Sequence, residues 1–170
     1  MKWTAICGSW RKVNNDVERD VRDNVKIIIN NGDGIITGGA LNVDSIVADE
    51  ALMLDPSAKK IRIFLPTTLD IFAEHYRKRA EEGVITKEQA ENLIMQISKI
   101  QKINQDSIIE NKINKVLYKE IYYERNSAII EAADELLAFQ VNDSPGTRHT
   151  ISKARKKGIP VKIFKYTIEQ

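Results

Sequence analysis

GIITGGALNVDSIVADEAL, residues 34–52, decides the fold. A short apolar run stops at Gly38-Gly39, and in the stretch that follows Val43, Ile46, Val47, Ala51 and Leu52 recur along one side. A strand that feeds a helix through paired glycines is the building unit of an α/β protein, and Asn42 or Asp44 stands where a helix cap belongs. The glycines raise the functional question, because something must lie against the backbone they leave bare.

The same rhythm extends in both directions. Upstream, residues 3–7 (WTAIC) form a strand ending at Gly8-Ser9. Residues 14–30 then read as a helix with Val17, Val21, Val25 and Ile28 inward, halted by Asn31-Gly32-Asp33-Gly34. Downstream, KKIRIFLP (59–66) is a third strand whose partial alternation places it toward a sheet edge. ERNSAIIEAA (124–133) reads as a helix, ELLAFQV (135–141) as a strand, 147–157 as a helix closed by Gly158, and IPVKIFKY (159–166) as a last strand. Five strands joined mostly by helices predict a mostly parallel sheet covered on both faces, a three-layer α/β sandwich in one domain over 1–170.

The middle breaks the pattern. Residues 69–118 carry helical signals and no strand: Thr86 and Gln89 at capping-box spacing, a stripe of Leu93, Ile97 and Ile100, and a second stripe of Ile109, Ile113, Val116 and Leu117. The expectation is a helical insertion packed on the core, with homodimerisation as the rival explanation.

Composition narrows the class more than the function. The chain of 170 residues is 42% hydrophobic and 29% charged, with a formal net charge of +2 from 26 basic and 24 acidic residues, so the overall charge singles out no partner. Cys7 is the single cysteine, which excludes an intrachain disulfide and a thiolate metal cluster; His75 and His149 are not spaced as metal ligands, and no cofactor is called for. No apolar stretch is long enough to span a membrane and the opening residues do not read as a signal peptide, so a cytoplasmic protein is expected.

Ligands of such sheets gather beyond the carboxyl ends of the strands, where helices begin. Three loops stand there: Gly8-Ser9-Trp10-Arg11, Gly38-Gly39-Ala40, and 142–147 with Ser144, Gly146 and Thr147, followed by Arg148. Glycines admit an anion to backbone N–H groups, helix starts favour negative charge, and hydroxyls add donors, so together the loops describe a phosphate cradle. Neither the G-x-G-x-x-G fingerprint nor a G-K-[ST] P-loop is present. Tight strand-to-helix turns need glycine in any case, and this plainer reading applies to each loop taken singly.

GSWR (8–11), ITGGALNVDSIVADEAL (36–52), ERNSAIIEAADELLAF (124–139) and SPGTRHTISKARKKGIPV (144–161) resemble the nucleotide-binding Rossmann-like superfamily. It includes the DNA-processing protein A fold and the "lonely guy" phosphoribohydrolases. The resemblance covers about residues 3–56 and 121–165. It implies a Rossmann-like fold in which Gly8, Ser9 and Arg11 line one ligand loop and Gly38, Gly39 and Asp44 a second. Arg125 and Asn126 match a pair facing the ligand, and Gly146 and Thr147 match the last loop. Phosphoribohydrolases of this group read P-G-G-x-G-T-x-x-E, and here Thr150 stands in place of the glutamate.

The expected function is therefore binding of a small phosphorylated nucleotide, ranked ahead of nucleic acid. The alternatives are N-glycosidase or phosphoribohydrolase chemistry on a nucleoside monophosphate, and single-stranded DNA binding of the DNA-processing type. An enzyme would need a carboxylate for an oxocarbenium-like sugar, and Glu124, then Asp44, are the candidates, with His149 as an acid. Each also suits an ordinary helix start or surface. Trp10, Tyr122 or Tyr123 are placed to stack on a base. A nucleic-acid reading would draw on Lys153, Arg155, Lys156, Lys157, Lys162 and Lys165.

Overall fold

A computed structural model describes residues 1–169. The order is β1 (Trp3–Gly8), α1 (Asn15–Asn30), β2 (Gly34–Gly38), α2 (Val43–Leu54), β3 (Ile61–Phe64), α3 (Leu69–Glu81), α4 (Lys87–Ile103), β4 (Ile108–Ile109), α5 (Lys119–Ala132), β5 (Glu135–Val141), α6 (Pro145–Lys157) and β6 (Val161–Tyr166). One six-stranded sheet runs β4-β3-β2-β1-β5-β6, and every adjacent pair is parallel. The chain steps outward from β1 to β4, then returns to lay β5 on the other side of β1. The gap beside β1 and β5 is thus the point where the connections change direction.

Period-two alternation assigns the two faces. Ile6, Ile35, Ile63 and Phe139 point to one side, where they meet Val17, Val21 and Val25 of α1, Val43 and Val47 of α2, Phe72 of α3 and Leu93, Ile97 and Ile100 of α4. Ala5, Ile36, Leu136 and Ala138 point to the other, against Ile129 and Ile130 of α5 and Ile151 and Ala154 of α6. The sheet is buried on both faces, as the sequence predicts for parallel strands.

The expected helix caps hold in part. Thr86 and Gln89 form a full capping box at the start of α4. Asn42 precedes α2 with φ of 63° and caps nothing; its amide donates to the Trp10 carbonyl oxygen. Asp44 sits inside the first turn and turns back toward β2.

Two expectations for the middle segment need correction. It contains a sixth strand, the two-residue β4, which pairs with β3 at Ile63↔Ile108 and Phe64↔Ile109 and forms the sheet edge next to β3. The second helical stripe does not exist. Ile109 lies in β4, and Ile113 and Val116 sit in an irregular segment, 86% and 65% exposed. Two residues are too few to carry a period, so an apolar pair in a strand was open to reading at helical spacing.

Candidate functional site

Because all six strands are parallel, Gly8, Gly38, Phe64 and Val141 end at one edge of the sheet, and the loops that follow meet there. The loop after β1 is closed by Ser9, whose Oγ accepts from the N–H groups of Arg11 and Lys12, both at 3.2 Å. Its Ser9 carbonyl accepts from Val43 N–H at 3.2 Å, which fastens the loop to the start of α2. An added Cβ on Gly8 would meet Val43 Cγ2 at 2.7 Å and the Phe139 carbonyl oxygen at 2.8 Å, so this glycine lets β1, α2 and β5 close on one another.

The paired glycines make room for the protein's own side chains. At Gly38 a Cβ would meet Arg125 Nη1 at 2.7 Å and Asp44 Oδ2 at 2.8 Å; at Gly39 it would meet Leu65 Cδ2 at 2.6 Å. Arg125 and Asp44 are both buried. Arg125 donates from Nη1 to the Phe64 carbonyl at 3.3 Å and from Nε to Asn126 Oδ1 at 3.0 Å, while its guanidinium lies 5.7 Å from the Tyr122 ring centre. Asp44 accepts from Thr37 Oγ1 at 2.9 Å and from Ala40 N–H at 3.2 Å. Burial pushes the Asp44 carboxyl above its usual range, opposed by the Arg125 charge and by those two donors. Thr37 escaped the sequence reading, although a polar residue ending an apolar strand just before the glycines is a signal for it.

Cys7 lies in the same cluster. It is half-buried; desolvation and the Asp44 charge raise its thiol above the ordinary value, against a hydrogen bond with Thr150 and the Arg125 charge. Thr150 is buried and donates back to the Gly146 carbonyl at 3.1 Å. The position of the hydrolase glutamate thus holds a hydroxyl turned into its own helix.

The third loop differs from the other two. Asn142 and Asp143 are both left-handed, with φ of 50° and 54°. The Asn142 side chain adds a rung beyond the ladder, donating to Ile168 O at 2.7 Å and accepting from Ile168 N–H at 2.9 Å. α6 then starts with Ser144 making no side-chain cap, Pro145 in the first turn and no acidic residue there. Nothing lies within 4 Å of where a Gly146 Cβ would be. Thr147 is 3% exposed, and its Oγ1 has no hydrogen-bond partner among the described residues; nor has His149 Nδ1. The His149 ring stacks on Tyr123 with centroids 4.0 Å apart and planes 7° from parallel. Burial and the charge of Lys153 hold His149 below its ordinary value, so the ring is neutral at pH 7.

The remaining candidates divide between this edge and the far end of α6. Arg148 is exposed on α6, and the Arg11 guanidinium stands 4.9 Å from the centre of the Trp10 ring, which is 38% exposed. Glu124 is exposed, and its Oε1 accepts from Asn111 at 3.2 Å and Asn114 at 3.4 Å, tying the segment after β4 to α5. Lys157 donates to the carbonyls of Ile130, Glu131 and Ala133, closing the end of α5.

Among solved structures, the chain superposes on DNA processing protein A from Helicobacter pylori with a TM-score of 0.70, over 95% of this chain and 64% of that one, at 23% identity. The fold is that of DNA-processing protein A. The Streptococcus pneumoniae DNA-processing protein A gives a TM-score of 0.65 at 17% identity, over 95% of this chain and 50% of its own. The structural-genomics protein TM1055 gives 0.55 at 14%, over 95% and 72%. This chain spans less than two thirds of either DNA-processing protein. No protein-family model and no curated protein matches it. Among the described residues no helix is long and apolar enough to cross a membrane.

One expectation is overturned here. The sequence ranks a small nucleotide ahead of nucleic acid, on the low net charge and the absence of a separate winged or zinc module. The DNA-processing protein A from Helicobacter is a single-stranded DNA binder, and its fold is the one this chain shares, which reverses that order. Net charge is a poor guide to partners because it sums over the whole surface, and a local patch can act where the sum does not.

Proposed function

We propose that this chain binds single-stranded nucleic acid at the carboxyl edge of its sheet, with a backbone phosphate seated on the N-terminus of α6. The observation that carries this reading is the buried, unpartnered Thr147 hydroxyl in a first turn that has no side-chain cap and no acidic residue. The first N–H groups of a helix lack intrahelical acceptors and carry partial positive charge, so an anion there satisfies several donors at once. Gly146 leaves the approach open, and Arg148, exposed two residues further along α6, supplies a full charge.

The aromatic part of the reading rests on Trp10. A cavity of about 370 Å³ lies between the loop after β1 and the turn joining α3 to α4, lined by Trp10, Leu41, Val84 and Ile85 with Arg11 and Asn42 at its polar side. A half-exposed indole beside an arginine suits a base of any identity, as binding to a strand without sequence preference requires.

Fluorescence anisotropy with labelled oligo(dT) tests this against duplex of the same length and against nucleoside monophosphates in competition. Single strands should bind, more weakly as salt rises, and the monophosphates should compete poorly. Stabilisation by a monophosphate with no affinity for any strand would contradict the proposal.

A further inference from the structure

A second cavity, about 670 Å³, lies outside the crevice, between α6 and the edge strand β6. Its α6 wall is Arg148, Ile151, Ser152, Arg155 and Lys156, which at spacings of three and four form one stripe along the whole helix. Its other wall is Ile163 and Lys165 on β6 with Gln140 on β5, whose register partner is Lys165. The floor is thus apolar and the rim basic. Asp143 is the one acidic residue in the lining. Among the described residues no carboxylate lies within ion-pair distance of Arg148, Arg155, Lys156 or Lys165, whereas Arg22 on the other face of the sheet meets Glu18, Asp49 and Glu50.

The other C-terminal cations are placed differently. Lys157 is held by the α5 carbonyls, and Lys162 lies on the opposite face of β6, 4.9 Å from the Phe164 ring centre. The stripe begins at Arg148, in the turn of α6 that holds Gly146 and Thr147, so its head lies at the N-terminal end of the helix. From Arg148 to Lys156 the helix rises about 12 Å, the axial length over which one strand of B-form DNA carries roughly three phosphates.

We propose that this groove is a second phosphate track, which carries the strand from the α6 N-terminus toward the end of α6 along the open edge of the sheet. The inference rests on the reading given above and adds a length requirement to it. Short strands fill the crevice alone; longer ones also lay phosphates between Arg155, Lys156 and Lys165. Ile151 and Ile163 give the sugar edge an apolar floor.

The test compares oligo(dT) of about 6 and about 20 nucleotides, spanning the usual range of single-strand site sizes. Binding is measured across salt concentrations for wild type, for the triple variant Arg155→Gln/Lys156→Gln/Lys165→Gln, and for Lys162→Gln as a control on the opposite face. The triple variant should bind the short strand as wild type does. For the long strand its slope of log affinity against log salt should fall by about 2, some 0.7 for each lost phosphate contact. Lys162→Gln should change neither. An unchanged slope and affinity for the long strand would overturn the track while leaving the crevice intact. The track would also be overturned if the triple variant altered only the molecular mass by light scattering, since the groove would then join copies of the chain. Failure of wild type to bind either strand would remove the underlying reading and the track with it.

Discussion

The Arg125 guanidinium packs against the bare α-carbon of Gly38, so closely that a methyl group there would meet Nη1 at 2.7 Å and Cζ at 2.8 Å. The same methyl would meet Asp44 Oδ2 at 2.8 Å. The glycine that ends β2 is therefore the seat of a buried cation and anion reaching in from α5 and α2.

Gly38→Ala should destabilise the protein by about 1–3 kcal/mol, the usual cost of overpacking. Arg125 has a flexible stem, yet moving it withdraws its Nη1 donor from Phe64 O and takes the neighbouring positive charge from the buried Asp44 carboxyl. Urea denaturation measures the difference, and an unchanged midpoint would show that Arg125 is free to move.

Gly146→Ala separates binding from stability. The position is open, lies in the first turn of α6 and has no positive φ, so alanine fits and gains up to about 1 kcal/mol in helix propensity. The added methyl covers the approach to the first-turn N–H groups, so affinity for oligo(dT) should fall while the unfolding midpoint rises. Loss of both together would mean that Gly146 serves the fold.

Trp10→Ala should weaken single-strand binding by about 1–3 kcal/mol, the range for one stacked base, and should also lower the unfolding midpoint, because the residue is only 38% exposed and loses apolar packing. Isothermal calorimetry paired with thermal unfolding checks both halves of that statement.

The turn after α2 gives an acid-limb prediction. Burial alone would raise the Asp55 carboxyl, but hydrogen bonds from the Ser57 hydroxyl and from the N–H groups of Lys60, Lys59 and Ser57 outweigh it and hold the group below its usual value of 3.8. An acid whose folded value is depressed stabilises the native state above 3.8, and that contribution is lost as pH falls through the lower folded value. Asp55→Ala should be less stable at neutral pH by about 1 kcal/mol and should show a flatter decline below pH 3.8 in denaturant titrations.

Much of this fold was legible because its strands are buried on both faces and its helices carry one apolar stripe. The apolar stretches within 34–37 and 135–141 stand out between turn residues, and Val17, Val21 and Val25 lie at helical spacing as the sequence has them. β4 was not legible, since Ile108 and Ile109 become a strand only through pairing with β3. At the site, glycine positions could be read but not their occupants. Local sequence says that backbone is bare at Gly38; only the crossover of α5 says that Arg125 fills it. The open first turn of α6 depends likewise on an absence, a cap that Ser144 does not make.

The central claim is that α6 begins at a phosphate seat, and backbone amide NMR of the ¹⁵N-labelled chain titrated with short oligo(dT) tests it most directly. The account predicts that the amides of Gly146, Thr147 and Arg148 shift first and furthest, with those of Trp10 and Arg11 next, and that added salt reverses the shifts. Shifts confined to α1 and α2, or none at the start of α6 while the strand is bound, would contradict it.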